Sequence, residues 1–118
     1  MPVSQEEKEF VTYVVDLMQR IGPVRAKSMF GGHGIFLQGL MFGLIADSVL
    51  FLKVDQETEI EFKTRGLEAF TYNKKGKEFK MSYYQAPEEA LEDDEEMNLW
   101  ANKAYGAALK AAAKKRKK

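Results

Sequence analysis

The chain has 118 residues, the length of a single domain, and its 45% hydrophobic content is enough to form a core without covalent staples. It has no cysteine, which excludes disulfides, thiolate nucleophiles and cysteine-based zinc sites. Eighteen basic and eighteen acidic residues give a formal net charge of zero, but they are not evenly spread. Residues 88–96 hold seven acids and no base, and residues 110–118 hold six bases and no acid.

Residues 1–9 are polar and acidic, without the apolar core of a secretion signal, and no apolar run is long enough to span a bilayer. A cytoplasmic protein with no membrane partner is the expectation.

Ser4 with Glu7 three residues on has the pattern of a capping box. Phe10, Val14, Leu17, Met18 and Ile21 then recur at helical spacing, and Gly22-Pro23 stops the helix. Residues 24–30 alternate, with Val24, Ala26, Ser28 and Phe30 on one side and Arg25, Lys27 and Met29 on the other, which is a strand pattern. The glycines of Gly31-Gly32-His33-Gly34 allow that strand to bend and continue through Ile35-Phe36-Leu37. Gln38-Gly39 is a turn. Residues 40–54 form a hairpin about Asp47-Ser48, and the near-continuous apolar run of its first strand predicts that both faces are covered.

Asp55 or Thr58 opens a short helix with Ile60, Phe62 and Leu67 as its apolar residues and Gly66 as its C-cap. A second hairpin, residues 69–84, turns at Asn73-Lys74-Lys75-Gly76. Residues 88–91 form one helical turn, and Asp93 or Asp94 caps a long last helix whose core face is Met97, Trp100 and Tyr105. The element order is thus α-β-β-β-α-β-β-α, an α+β fold with an antiparallel sheet. Residues 1–110 make one domain, and residues 111–118 are a basic tail expected to fray.

Little in this pattern carries chemistry. Gly31-Gly32-His33-Gly34 matches neither dinucleotide nor P-loop spacing, and strand sequence follows it where a phosphate loop needs a helix N-terminus. His33 is the only histidine and has no ligand spacing around it, so it reads as a turn residue tolerating positive φ. The acids of residues 88–96 lack EF-hand spacing and read as a solvated helix start. No catalytic residue, metal site or cofactor is assigned, and the protein reads as a non-enzyme. Lys114, Lys115, Arg116, Lys117 and Lys118 are the one candidate nucleic-acid contact, through phosphates and without sequence preference.

Three segments together resemble the N-terminal domain of the TfoX/Sxy competence regulators, a bacterial family: Arg25-x-x-x-Met29-Phe30-Gly31-Gly32-x-Gly34-Ile35-Phe36, then Gly39-x-Met41-Phe42-Gly43-Leu44-Ile45-Ala46-Asp47, then Leu50-Phe51-Leu52-Lys53-Val54-Asp55. Phe70-x-Tyr72, Met81-x-Tyr83-Tyr84 before Pro87, and Trp100 with Ala101 and Ala104 are similar too. The resemblance implies an antiparallel sheet carrying helices. It gives Met29, Phe30, Gly31, Gly32, Gly34, Asp47, Lys53 and Asp55 a structural role and supplies no catalytic residue. It implies a regulatory, protein-interaction role in transcription of DNA-uptake genes, exercised with a catabolite-type activator as partner. Full-length members carry a second helical domain, and this sequence stops after one helix and the basic tail.

Two other functions are weighed beside it. One is a nucleic-acid accessory role for the tail. The other is a small-molecule binder at the glycine bend using His33. A homodimer through an exposed sheet edge is also allowed.

Overall fold

The computed structural model describes residues 5–29 and 31–116. Helix α1 (Gln5–Met18) buries Val11, Val14 and Met18, one stripe at helical spacing. A 3₁₀ turn (Gln19–Ile21) follows and ends at Gly22, whose φ of 143° suits glycine. Ser4, the expected N-cap, lies outside the described residues. The Glu7 carboxylate, expected to cap back toward it, is buried and reaches the sheet.

Six strands follow: β1 (Arg25–Met29), β2 (Gly32–Leu37), β3 (Leu40–Ala46), β4 (Val49–Lys53), β5 (Ala69–Lys74) and β6 (Lys77–Gln85). They form one sheet in the order β1-β2-β3-β4-β6-β5, antiparallel at every pairing. The expected α+β class and antiparallel sheet are therefore present. The first unit, however, has four strands and not three. Met29 pairs directly with Gly32, so the glycine cluster does not bend one long strand but folds it back as a tight hairpin. Positive φ at Gly31 (76°) provides the reversal.

The other hairpin turns stand where the sequence placed them. Gln38-Gly39, Asp47-Ser48 and Lys75-Gly76 each have positive φ at both central residues, the backbone that matches the strand twist. Glutamine, aspartate, serine and lysine all accept that conformation here at some cost, because a two-residue reversal leaves no alternative.

A bulge does occur, but in β3. Ile35 faces Gly43 while Phe36 faces Met41, leaving Phe42 as the extra residue. The irregularity turns Phe42 into the core, where its ring meets Tyr105 edge-on at 5.7 Å. Met41 and Leu44 are left on the opposite face.

Helix α2 (Gln56–Thr64) is closed at both ends. The Asp55 carboxylate accepts from the N–H groups of Glu57 and Thr58 at 2.9 and 2.8 Å, and Thr58 Oγ1 accepts from the Asp55 N–H at 3.0 Å. At the other end Leu67 N–H bonds Phe62 O and Gly66 N–H bonds Lys63 O, a Schellman closure with Gly66 at φ 75°. Ile60, expected on the apolar side, is 65% exposed, and Phe62 is the residue that this helix buries.

Helices α3 (Glu88–Glu92) and α4 (Asp94–Arg116) complete the fold. α4 lies on β3 and β4 and also touches α1. Its buried side is Met97, Trp100, Ala101, Ala104 and Ala108, and the three alanines let the helix approach the sheet closely. It is helical through Arg116, so residues 111–116 are an extension of α4. All helices that contribute to the core do so from one face of the sheet, against Ile35, Leu37, Phe42, Ile45, Leu50 and Leu52.

Candidate interaction surface

A sheet has two faces, and alternation assigns each strand residue to one of them. On β1 the residues sharing the face of Met29 are Arg25 and Lys27, and their register partners on β2 are Phe36 and Gly34. Gly34 pairs in turn with Leu44, and Leu44 with Phe51. Among the described residues, no helix of the core packs on this second face.

The two ends of the sheet curl toward each other over it. Met29, Gly32, Met41, Leu44 and Ala46 line one side of a cavity of about 550 Å³, and Phe70, Tyr72, Lys74 and Met81 line the other. Several strands separate β2 from β5 in the sheet order, so a shared cavity requires a strongly curved sheet. The missing side chain of Gly34 makes the floor. A Cβ there would lie 2.6 Å from Met29 Sδ and 3.0 Å from Met41 Sδ, so both thioethers settle over bare backbone. Gly32 has a harder constraint: a Cβ on it would run into the backbone carbonyl of Ile45, which does not yield.

The charge of this face is one-sided. By strand alternation Arg25, Lys27, Lys53, Lys74 and Lys77 lie on it, whereas Lys80 and the one strand acid, Glu78, fall on the helix-covered side. Lys80 is held by Glu59 of α2 at 3.5 Å. Among the described residues, Arg25, Lys27, Lys74, Lys75 and Lys77 have no acid within salt-bridge distance. Lys74 stands directly opposite Lys77 in the β5–β6 register, a like-charge pairing that costs stability. Beside it Tyr72 and Phe79 stack at 5.5 Å and stay 42% and 40% exposed. Lys53 lies 5.2 Å from the Tyr83 ring. Burial holds its ammonium below the usual lysine range, and the charge of Lys115 adds to the effect. Burial also pushes the Tyr83 hydroxyl up to about 12.

His33 is a strand residue of β2, not a turn residue, and its φ is not positive. Its Nδ1 lies 3.5 Å from Glu7 Oε2, and Glu7 Oε1 accepts the Ser48 N–H at 3.1 Å. One buried carboxylate thus ties α1 to β2 and to the β3–β4 turn. The acids of residues 88–96 are helix-start residues: Glu89 pairs with Arg65, Asp94 with Arg20 at 3.7 Å, and Asp93 accepts the Glu96 N–H. No group of three or more metal-binding side chains occurs among the described residues.

Of the proposed nucleic-acid contacts, Lys114 and Lys115 are exposed on the last turn of α4, Arg116 ends that helix, and Lys117 and Lys118 lie outside the described residues. Lys110, just before them, is engaged by Asp55 at 3.1 Å and Glu57 at 3.3 Å, hydrogen bonds that raise its affinity for its proton. Of the motif residues, Met29, Gly32 and Gly34 build the cavity, and Gly31 and Asp47 hold turns. Lys53 ends β4 and Asp55 caps α2. Phe30 lies outside the described residues. The sequence did not reveal the cationic apolar face as a unit. The signal was present in the alternation of Arg25, Lys27 and Met29, but only the curl of the sheet brings it opposite Tyr72 and Lys74.

Comparison with known proteins converges on one family. Residues 16–108 match the TfoX N-terminal domain. Over 86 residues the chain is 30% identical to the "DNA transformation protein TfoX1" of Aliivibrio fischeri. That alignment covers 73% of this chain and 39% of the relative, so the chain spans about two fifths of that protein's length. No helix among the described residues is long and apolar enough to cross a membrane.

Proposed function

The chain belongs to the TfoX N-terminal domain family, and from that premise we propose that it is a non-enzymatic regulatory module. It modulates transcription of DNA-uptake genes in the cytoplasm by engaging a protein partner, an activator of the catabolite type. The observation that carries this reading is the family match across residues 16–108, nearly the whole fold. The surface is compatible with a binding role: thioether, aliphatic and aromatic groups, with Lys74 and the single histidine, His33, line its cavity. The test is expression of the chain in a competent bacterial host that lacks its own copy. Transcripts of the DNA-uptake genes rise if the reading holds. Unchanged transcripts with folded, abundant protein overturn it.

A second reading, phosphate contact through the end of α4, has its own support. Lys114 and Lys115 are exposed there and have no acidic partner among the described residues. It calls for nucleic-acid binding that falls steeply with salt and is lost when residues 114–118 are removed.

A further inference from the structure

We propose that the curved open face of the sheet is a docking trough for an acidic amphipathic helix of a protein partner. The inference deepens the regulatory reading and rests on it only for the statement that the helix belongs to a protein.

The shape fits first. β1 and β5 are the two edges of a six-stranded sheet, so the trough spans five strand spacings of about 4.8 Å before curvature narrows it. A helix with its side chains is about 10–12 Å across and lies within such a width. The floor fits second. Met29, Met41 and Met81 contribute three of the six methionines of the chain, and thioethers accommodate the ridges of a helix face without a preset geometry. By contrast, Met18 and Met97 are fully buried beneath the helices of the covered face.

Charge then selects the occupant. Arg25 and Lys27 rise along one edge strand, and Lys74 stands on the other beside Lys77 of the neighbouring β6, with no acid to neutralise them among the described residues. Edge lysines alone discourage aggregation. They do not explain why Lys74 is set against Lys77, nor why the face between the two edges is apolar. An apolar helix face flanked by glutamate or aspartate satisfies both features. Asp47 and Glu68 border an adjoining hollow, and neither pairs with the lysine rim. Single-stranded nucleic acid fits less well. Its bases would set their polar edges against thioether and aliphatic carbon, and the exposed rings of Tyr72 and Phe79 are stacked on each other.

The experiment uses the full chain with methyl-labelled methionine. The probe is a 16-residue designed helical peptide with leucines on one face and glutamates flanking them. Addition of the peptide shifts the Met29, Met41 and Met81 methyl signals and leaves Met18 and Met97 in place. Lys27→Glu with Lys74→Glu weakens binding roughly tenfold or more, from the loss of two rim charges and the repulsion that replaces them. A peptide with lysine in place of glutamate binds that double variant better than it binds the native chain. Shifts of the same methyls by an oligothymidylate but not by the peptide overturn the proposal in favour of nucleic acid. Shifts that follow protein concentration alone overturn it in favour of a second copy. Unmoved methyls overturn it outright. None of these results depends on an activator, so the regulatory reading stands or falls separately on the transcript measurement.

Discussion

The two faces of the sheet are built from the same strands and serve opposite ends. The helix-covered face holds Ile35, Phe42, Ile45, Leu50 and Leu52, and it receives Val14, Met18, Phe62, Met97 and Trp100 from the helices. Two of its polar contacts fasten helices in place: the Asp55–Thr58 capping box and the Glu7 carboxylate on the Ser48 N–H. The open face holds methionine, leucine and exposed aromatics, and among the described residues its Arg25, Lys27, Lys74 and Lys77 have no carboxylate within salt-bridge distance. Zero net charge thus describes the total and not the surface, because the acids sit almost entirely on helices and connections while the strands are basic. The difference teaches that stability and recognition are separated across a single layer of backbone. Substitutions on one face should unfold the protein, and those on the other should leave it folded and deaf.

The largest effect is expected at Trp100. Its ring lies edge-on to Phe62 at 5.3 Å, between the cations of Arg65 and Lys103 at 4.9 and 4.7 Å, and is 3% exposed. Trp100→Ala should cost about 3–5 kcal/mol by urea unfolding. A loss under 1 kcal/mol would mean that the covered face is not the core. Glu7→Ala comes next, at about 1–3 kcal/mol, because it leaves the Ser48 N–H and the buried His33 ring without their partner. An unchanged midpoint would detach α1 from the sheet.

Asp55→Ala should cost about 1 kcal/mol, the usual worth of an N-cap. Its pH dependence carries a definite sign. The Thr58 N–H hydrogen bond holds the Asp55 carboxyl below its ordinary value of 3.8, with Lys110 adding to the effect. The folded state therefore binds that proton less readily than the unfolded chain. The stabilisation is fully present above the unfolded value and disappears as pH falls through the lower folded value. The Tyr84 hydroxyl on Glu59 acts in the same direction. Acid titration of the native chain and of Asp55→Ala should converge at low pH, and curves that stay parallel would refute the cap. The smallest effect belongs to the open face. Lys27→Glu with Lys74→Glu should raise the unfolding midpoint only slightly, since both side chains are exposed and Glu at 74 replaces the repulsion from Lys77 by attraction.

These predictions also mark how much was legible without coordinates. Periodicity located α1, α2, α4 and both later hairpins because each has its own local signal: a 3.6-residue stripe, a capping residue or a two-residue turn. The glycine stretch is ambiguous in sequence because glycine permits both a bend and a reversal, and only the pairing of Met29 with Gly32 decides between them. Phe42 could not be placed from its own strand, since the bulge that turns it inward depends on the partner strand. His33 stands isolated in sequence because its carboxylate neighbour is 26 positions away. The open face was hidden for a similar reason. Its two halves lie far apart along the chain, and curvature, not spacing, joins them.

The separation of the two faces is tested most directly by the methionine methyl signals of the native chain in the presence of a soluble paramagnetic agent. Met18 and Met97 should keep their sharp signals, sealed beneath the helices, while Met29, Met41 and Met81 broaden from solvent contact. Equal protection of all five would contradict the account, because it would show that the second face is covered as well.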